Sequence, residues 1–158
     1  DYPAPDWADA LAIIMAVAMV FMAGMTGLMA LRRKDLLPKG TAGLQVVVLL
    51  LAAVLFVLPM AGGGAVPSGV LFCVVGVVLA LQSLANLVLW RRADEMLRRV
   101  MSETSAMAFW ASQVSLFLYA AGERLGLIAA ISPWGLIGVM MGVYMIASII
   151  AGARRGLT

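Results

Sequence analysis

Long apolar runs alternate along this chain with short polar or glycine-rich breaks, and no run shows the strict two-residue alternation of a half-buried strand. About 20 consecutive apolar residues are needed for a helix to cross ~30 Å of hydrocarbon. Five segments reach or approach that length: "WADALAIIMAVAMVFMAGMTGLMAL" (7–31), "AGLQVVVLLLAAVLFVLPM" (42–60), "SGVLFCVVGVVLALQSLANLVLW" (68–90), "SAMAFWASQVSLFLYAAG" (105–122) and "AISPWGLIGVMMGVYMIASIIAG" (130–152). The fourth is shorter and more polar than the others. The fifth begins near Pro133, a residue whose fixed φ suits the first helical turn. "RRKDLLPKG" and "AGGGAVP" supply the turn chemistry between the first three runs. The second run is valine-rich, but an open sheet in lipid leaves backbone groups unpaired, so helix is the expectation there too. The pattern predicts an all-α integral membrane protein with five transmembrane helices, forming a single helical domain over residues 1–158.

Composition supports that reading. Hydrophobic residues make up 64% of the chain and charged residues 12%, with a mean hydropathy of +1.05. A soluble domain of 158 residues needs more charged surface than this. The chain opens "DYPAPDW" without an initiator methionine, so either a leader is removed or further residues precede Asp1 in the gene product. The 7–31 run is too long for a signal-peptide core and reads as a span.

Charge placement then sets direction. Arg32, Arg33, Lys34 and Lys39 follow the first span, Arg91, Arg92, Arg98 and Arg99 the third, and Arg154 and Arg155 the fifth. Five crossings put these ten of the eleven basic residues on one side, leaving Arg124 opposite with Asp1, Asp6 and Asp9. The positive-inside rule predicts the N-terminus outside and the C-terminus cytoplasmic.

Inside the spans, chemistry is sparse. Met15, Met19, Met22, Met25 and Met29 share one face of the first helix. Thioethers bind Cu(I), but with no histidine in the chain the stripe reads as adaptable packing surface. Beside it run Ala12, Ala16, Ala23, Gly27 and Ala30, and Gly138 and Gly142 repeat the device in the fifth span. Small residues in a row permit close helix packing. Gln82 and Asn86 in the third span and Gln113 in the fourth are the notable polar residues at depth. Gln82 and Gln113 each lie about 12 Å from the cytoplasmic end of their span, which suits an interhelical polar clamp. One cysteine, Cys73, forms no intrachain disulfide. No nucleophile has a histidine base, and no G-x-G-x-x-G or P-loop occurs. No catalytic residue, metal ligand or cofactor is expected.

The exception to this sparseness is "WRRADEMLRRVMSETSAMAFW" (90–110). As a helix, residues 91–104 place Arg91 four residues from Glu95, Asp94 from Arg98, Glu95 from Arg99 and Arg99 from Glu103. Exposed pairs of this kind contribute a few tenths of a kcal/mol each, about 0.2–0.5. The expectation is a self-neutralising cytoplasmic hinge with its arginines near anionic headgroups. "DEMLRRVMSETSAMAF", two following spans and the terminal "ARRG" resemble a family of small bacterial inner-membrane proteins. That family's pattern is Asp-Glu-Leu-Gln-Arg-Arg-Ile, then a glutamate, an Ala-rich span and a basic tail. Asp94, Glu95, Arg98, Arg99 and Glu103 fall on or near its charged positions; Met96 and Leu97 depart from it. The resemblance covers roughly residues 43–156, with the first span as an addition to the usual four. It implies a multi-pass protein of the bacterial inner membrane and carries no activity.

Together these features predict a non-enzymatic accessory or scaffolding subunit, packed against other membrane proteins of a larger complex of the respiratory or photosynthetic kind. No nucleic-acid partner is expected. The alternative is a small transporter or channel with Gln82, Asn86 and Gln113 along its path. An interfacial enzyme using Glu95 and Glu103 ranks last, because no base or nucleophile accompanies them.

Overall fold

A computed structural model describes residues 6–32, 41–62 and 66–154. All of its regular elements are helices: α1 (Trp7–Arg32), α2 (Thr41–Val57), a 3-10 helix (Leu58–Gly62), α3 (Ser68–Arg92), α4 (Glu95–Arg124) and α5 (Pro133–Arg154). Each boundary has a local cause. α1 opens on Asp6, whose carbonyl accepts the N–H groups of Asp9 and Ala10 at 2.9 and 3.0 Å. α2 stops at Val57 because Leu58 precedes Pro59, which disfavours the α region at the residue before it and lacks a donor. The tighter 3-10 turn carries the chain on to Gly62. α3 ends where Ala93 turns extended, at φ −62° and ψ 138°, its N–H still bonded to the carbonyl of Leu89 at 2.8 Å. Only Ala93 and Asp94 separate it from α4.

The helices fall into two compact units. One holds the start of α1, through Leu11, with α4 and α5. Here α4 packs on α5, and apart from Val100 the buried positions are small: Thr104, Ala108 and Gly122 on α4, Gly135, Gly138, Ala147 and Ala151 on α5. Small side chains permit close backbone approach. The α4–α5 connection is closely built. Gly126, at φ 72°, takes the left-handed conformation that ends many helices. Its N–H bonds the carbonyl of Glu123 at 3.0 Å, and the N–H of Leu127 bonds that of Gly122 at 2.9 Å. Ile128 folds back over Gly122 so closely that a Cβ there would sit 2.6 Å from Ile128 Cδ1. The backbone N–H of Ile131 donates to the Tyr119 hydroxyl at 2.7 Å. Ser132 caps α5, its Oγ accepting the N–H of Gly135 at 3.1 Å, and Pro133 occupies the first helical position.

The second unit holds α1 from Ala12, with α2 and α3. α2 packs on α3 and buries Ala52, Ala53 and Phe56; Leu89 is the buried residue of α3.

Among the described residues, four helices are long and apolar enough to cross a membrane: α1, α2 with its 3-10 extension, α3 and α5. The expected span ends lie within a few residues of the observed ones, except at α4. The expected hinge (91–104) and fourth span (105–122) merge, from Glu95 onward, into a single helix of 30 residues, about 45 Å long. α4 has the length to cross but falls below the other four in hydropathy, because Ser105, Ser112, Gln113 and Ser115 dilute its apolar stretch.

Candidate functional site

Three groups of residues carry what chemistry the chain has. The first is the seam of small residues. Ala12, Ala16 and Ala23 are buried on α1, together with Ala8 and Met19, at spacings that keep all five on one helical face. The methionines therefore do not form one uniform surface: Met19 is buried, Met15 and Met22 are half-buried, and Met25 and Met29 are exposed. Gly27 faces α2, where a Cβ would lie 3.8 Å from Val46 Cγ2. In α5 the two glycines differ sharply. A Cβ on Gly138 would lie 2.8 Å from Leu11 Cδ2 and 3.1 Å from its Cγ, whereas one on Gly142 meets nothing within 4 Å. Gly135, not singled out in the sequence, is tighter than Gly138: its Cβ would meet Trp7 Cη2 and lie 2.8 Å from Cζ2. Trp7 and Leu11 are one turn apart on α1, so the two glycines accept two successive ridges of it.

The second group is polar. Gln82 and Asn86 are half-buried on α3, one turn apart on one face. Ser83 is exposed and satisfied locally, its hydroxyl donating to the carbonyl of Leu79 at 2.8 Å. Gln113 lies on α4, in the other unit, and is exposed. Around it the helix presents Trp110, Val114, Phe117 and Leu118, which with Gln113 line a shallow concavity of about 300 Å³. Phe109 meets Trp110 edge to face, with ring centroids 5.6 Å apart. The sequence carries the signal for this cluster, a glutamine flanked at helical spacing by Phe109, Trp110 and Phe117. Hydropathy alone hides it, because a mean taken along the chain carries no phase around the helix.

The third group is the charged segment. Arg91 and Arg92 end α3, and Glu95, Arg98, Arg99 and Glu103 belong to α4; all but the half-buried Glu103 are exposed, as is Asp94 between the helices. Asp94, Arg98 and Glu103 each have an interaction partner. Glu95 in the first turn of α4 and Arg124 in the last complement the helix dipole. Along the inner side of this segment Val100, Thr104 and Ala108 are buried at four-residue spacing. The stretch is thus the amphipathic opening of a long helix. The backbone break is confined to Ala93 and Asp94. Among the described residues no three His, Cys, Asp or Glu side chains converge on a metal-sized site.

No protein-family model, curated protein or solved structure matches the chain.

Proposed function

We propose that this chain is a non-enzymatic, multi-pass subunit of the bacterial inner membrane that packs against other membrane proteins as an accessory or scaffolding component. The observation that carries the reading is α3. It is 25 residues long with a hydropathy of 2.3, and none of its apolar window is buried inside the chain. Such a surface needs lipid or protein over it. Gln82 and Asn86 share a helix face with the half-buried Val75 and Val78 and the buried Leu89, and side-chain amides at membrane depth serve as glue between helices. The bacterial compartment is supported by the resemblance of residues 94–109, and the exposed arginines at the α3–α4 junction suit anionic headgroups. Affinity purification from native membranes in mild detergent, followed by native mass spectrometry, tests the role. Membrane subunits of other sequence in fixed stoichiometry are expected; a chain that emerges without them sinks it.

The same reading counts α4 as a fifth crossing. Residues 105–124 of that helix cover about 30 Å, the thickness of the hydrocarbon layer. Charge favours it as well: with only four crossings, Arg154 and Arg155 would lie on the side opposite Arg91 and Arg92.

A transporter or channel is the second reading, favoured by the shared face of Gln82 and Asn86. Purified protein in liposomes would then move a polar solute, and the combined Gln82→Leu and Gln113→Leu variant would abolish the flux. Flux unchanged by that pair of substitutions removes this reading.

A further inference from the structure

We propose that the turn between α4 and α5 is a lipid-contacting loop, with Leu125 and Leu127 seated among phospholipids in the headgroup layer of one leaflet. The inference rests on the membrane reading above, through α5, and goes beyond it by naming lipid as what this turn binds.

The level of the turn along the membrane normal follows from α5. The 22 residues of that helix span about 33 Å, slightly more than the ~30 Å of hydrocarbon. Arg154 ends the helix and belongs at the headgroups. Pro133 therefore lies at or just outside the opposite boundary. No charged residue occurs from Leu125 to Ala153. The uncharged stretch thus begins before the helix, and residues 125–132 fall in the headgroup layer, roughly 5–7 Å thick on each side.

The side chains of the turn suit that layer better than either neighbouring one. Leu125 and Leu127 are 72% and 77% exposed, and Ala129 and Ala130 are exposed beside them. The backbone is held in this form. Gly126 takes the left-handed conformation, Ile128 folds inward over Gly122, and the N–H of Ile131 donates to the Tyr119 hydroxyl. Two leucines are thereby presented outward by a fixed turn. Directly before them stand Glu123 and Arg124, both exposed. Hydrocarbon would strip those two charges of water, and bulk water would leave the leucines bare. The headgroup layer satisfies both kinds of side chain. Trp7, packed over Gly135, and Trp134 stand at the same end of α5, and tryptophan is enriched at this depth.

All of these residues belong to one compact unit, and the level of its turn is a property of that unit. Depth also selects the occupant: in the headgroup layer phospholipid is the solvent, present without a dedicated partner.

Nitroxide labels at Leu127→Cys and Ala129→Cys, made in a Cys73→Ala background, test the seating. The full chain is reconstituted into phosphatidylcholine–phosphatidylglycerol vesicles. Collision with oxygen, which concentrates in lipid, is compared with collision with a water-soluble nickel chelate. At both positions the oxygen-to-nickel ratio should lie above that of a free nitroxide in the buffer. It should lie below that of a label at Ile146→Cys, near the middle of α5. A ratio equal to that of the free label places the turn in water and overturns the proposal. A ratio equal to that at 146 overturns it by placing the turn in hydrocarbon, and suppression of both collision rates overturns it in favour of a protein contact. If the label at 146 itself reads as aqueous, α5 does not cross and the membrane reading fails with the proposal. A mid-span value at 146 with an aqueous value at 127 removes the lipid contact alone. The accessory role is decided separately, by subunit stoichiometry.

Discussion

Gly138 and Gly142 illustrate how far a single residue's meaning depends on what stands opposite. Both are helix-interior glycines one turn apart, yet only Gly138 has a side chain, Leu11, against its Cα. Gly138→Ala should destabilise the protein. Overpacking typically costs about 1–3 kcal/mol, which exceeds the roughly 0.5–1 kcal/mol that alanine gains over glycine within a helix. Gly142→Ala keeps only the gain and should leave stability unchanged or slightly raised. Reversible unfolding in mixed micelles measures both, and adding Leu11→Ala to Gly138→Ala should recover some of the loss, giving a coupling energy of about 0.5–3 kcal/mol. No coupling would mean that Leu11 moves aside freely. The sequence announces both glycines by their spacing but cannot separate them, because rotation of α5 relative to α1 is set by packing that spacing does not encode. For the same reason Gly135 passes unnoticed until Trp7 is found against it.

At the level of elements, span ends are legible wherever a residue forbids continuation or assists initiation. Pro59 halts α2, and Ser132 with Pro133 starts α5. What hydropathy misreads is the start of α4. The charges from Glu95 to Glu103 lower the apolar score, but Glu, Met, Leu and Arg are all good helix formers, so the helix runs straight through them. A polar stretch marks where a helix meets water and need not mark where it ends. The turn after α4 is equally hidden, since its chemistry lies in backbone angles. Gly126→Ala should cost about 1–2 kcal/mol, because a Cβ is disfavoured at its positive φ. Ser132→Ala should cost about 0.5–2 kcal/mol by removing the cap of α5. The same unfolding measurement reads both, and a loss near zero for Gly126→Ala would show that the turn rearranges without strain.

For the molecule as a whole, the all-helical class and the four helices that, among the described residues, are long and apolar enough to cross a membrane follow from hydropathy and length. The candidate sites are less legible, because they lie on surfaces that only phase and exposure define: Gln113 is one polar residue among several until its aromatic surroundings are seen. Direction is the property of the whole chain that α4 decides. Five crossings place residue 152 on the side of the α3–α4 junction, and four place it opposite. Gly152→Cys in a Cys73→Ala background, labelled with an impermeant maleimide, should react from the face that also labels Arg92→Cys. Reaction from opposite faces would establish four crossings and refute the fifth.

The closed turn between α4 and α5 also bears on how the protein is made. A segment as polar as α4 partitions poorly into a bilayer by itself, whereas α5, at a hydropathy of 2.1, enters readily. Tyr119 holds the intervening backbone at Ile131, and Gly126 returns the chain directly after the last turn of α4. On the five-crossing reading, the two helices enter the membrane as a preformed hairpin, with α5 supplying the driving force that α4 lacks. A chain truncated after Arg124 should leave α4 uninserted in a translocation assay, and extension through α5 should restore it. Insertion of the truncated chain would show that α4 needs no such help.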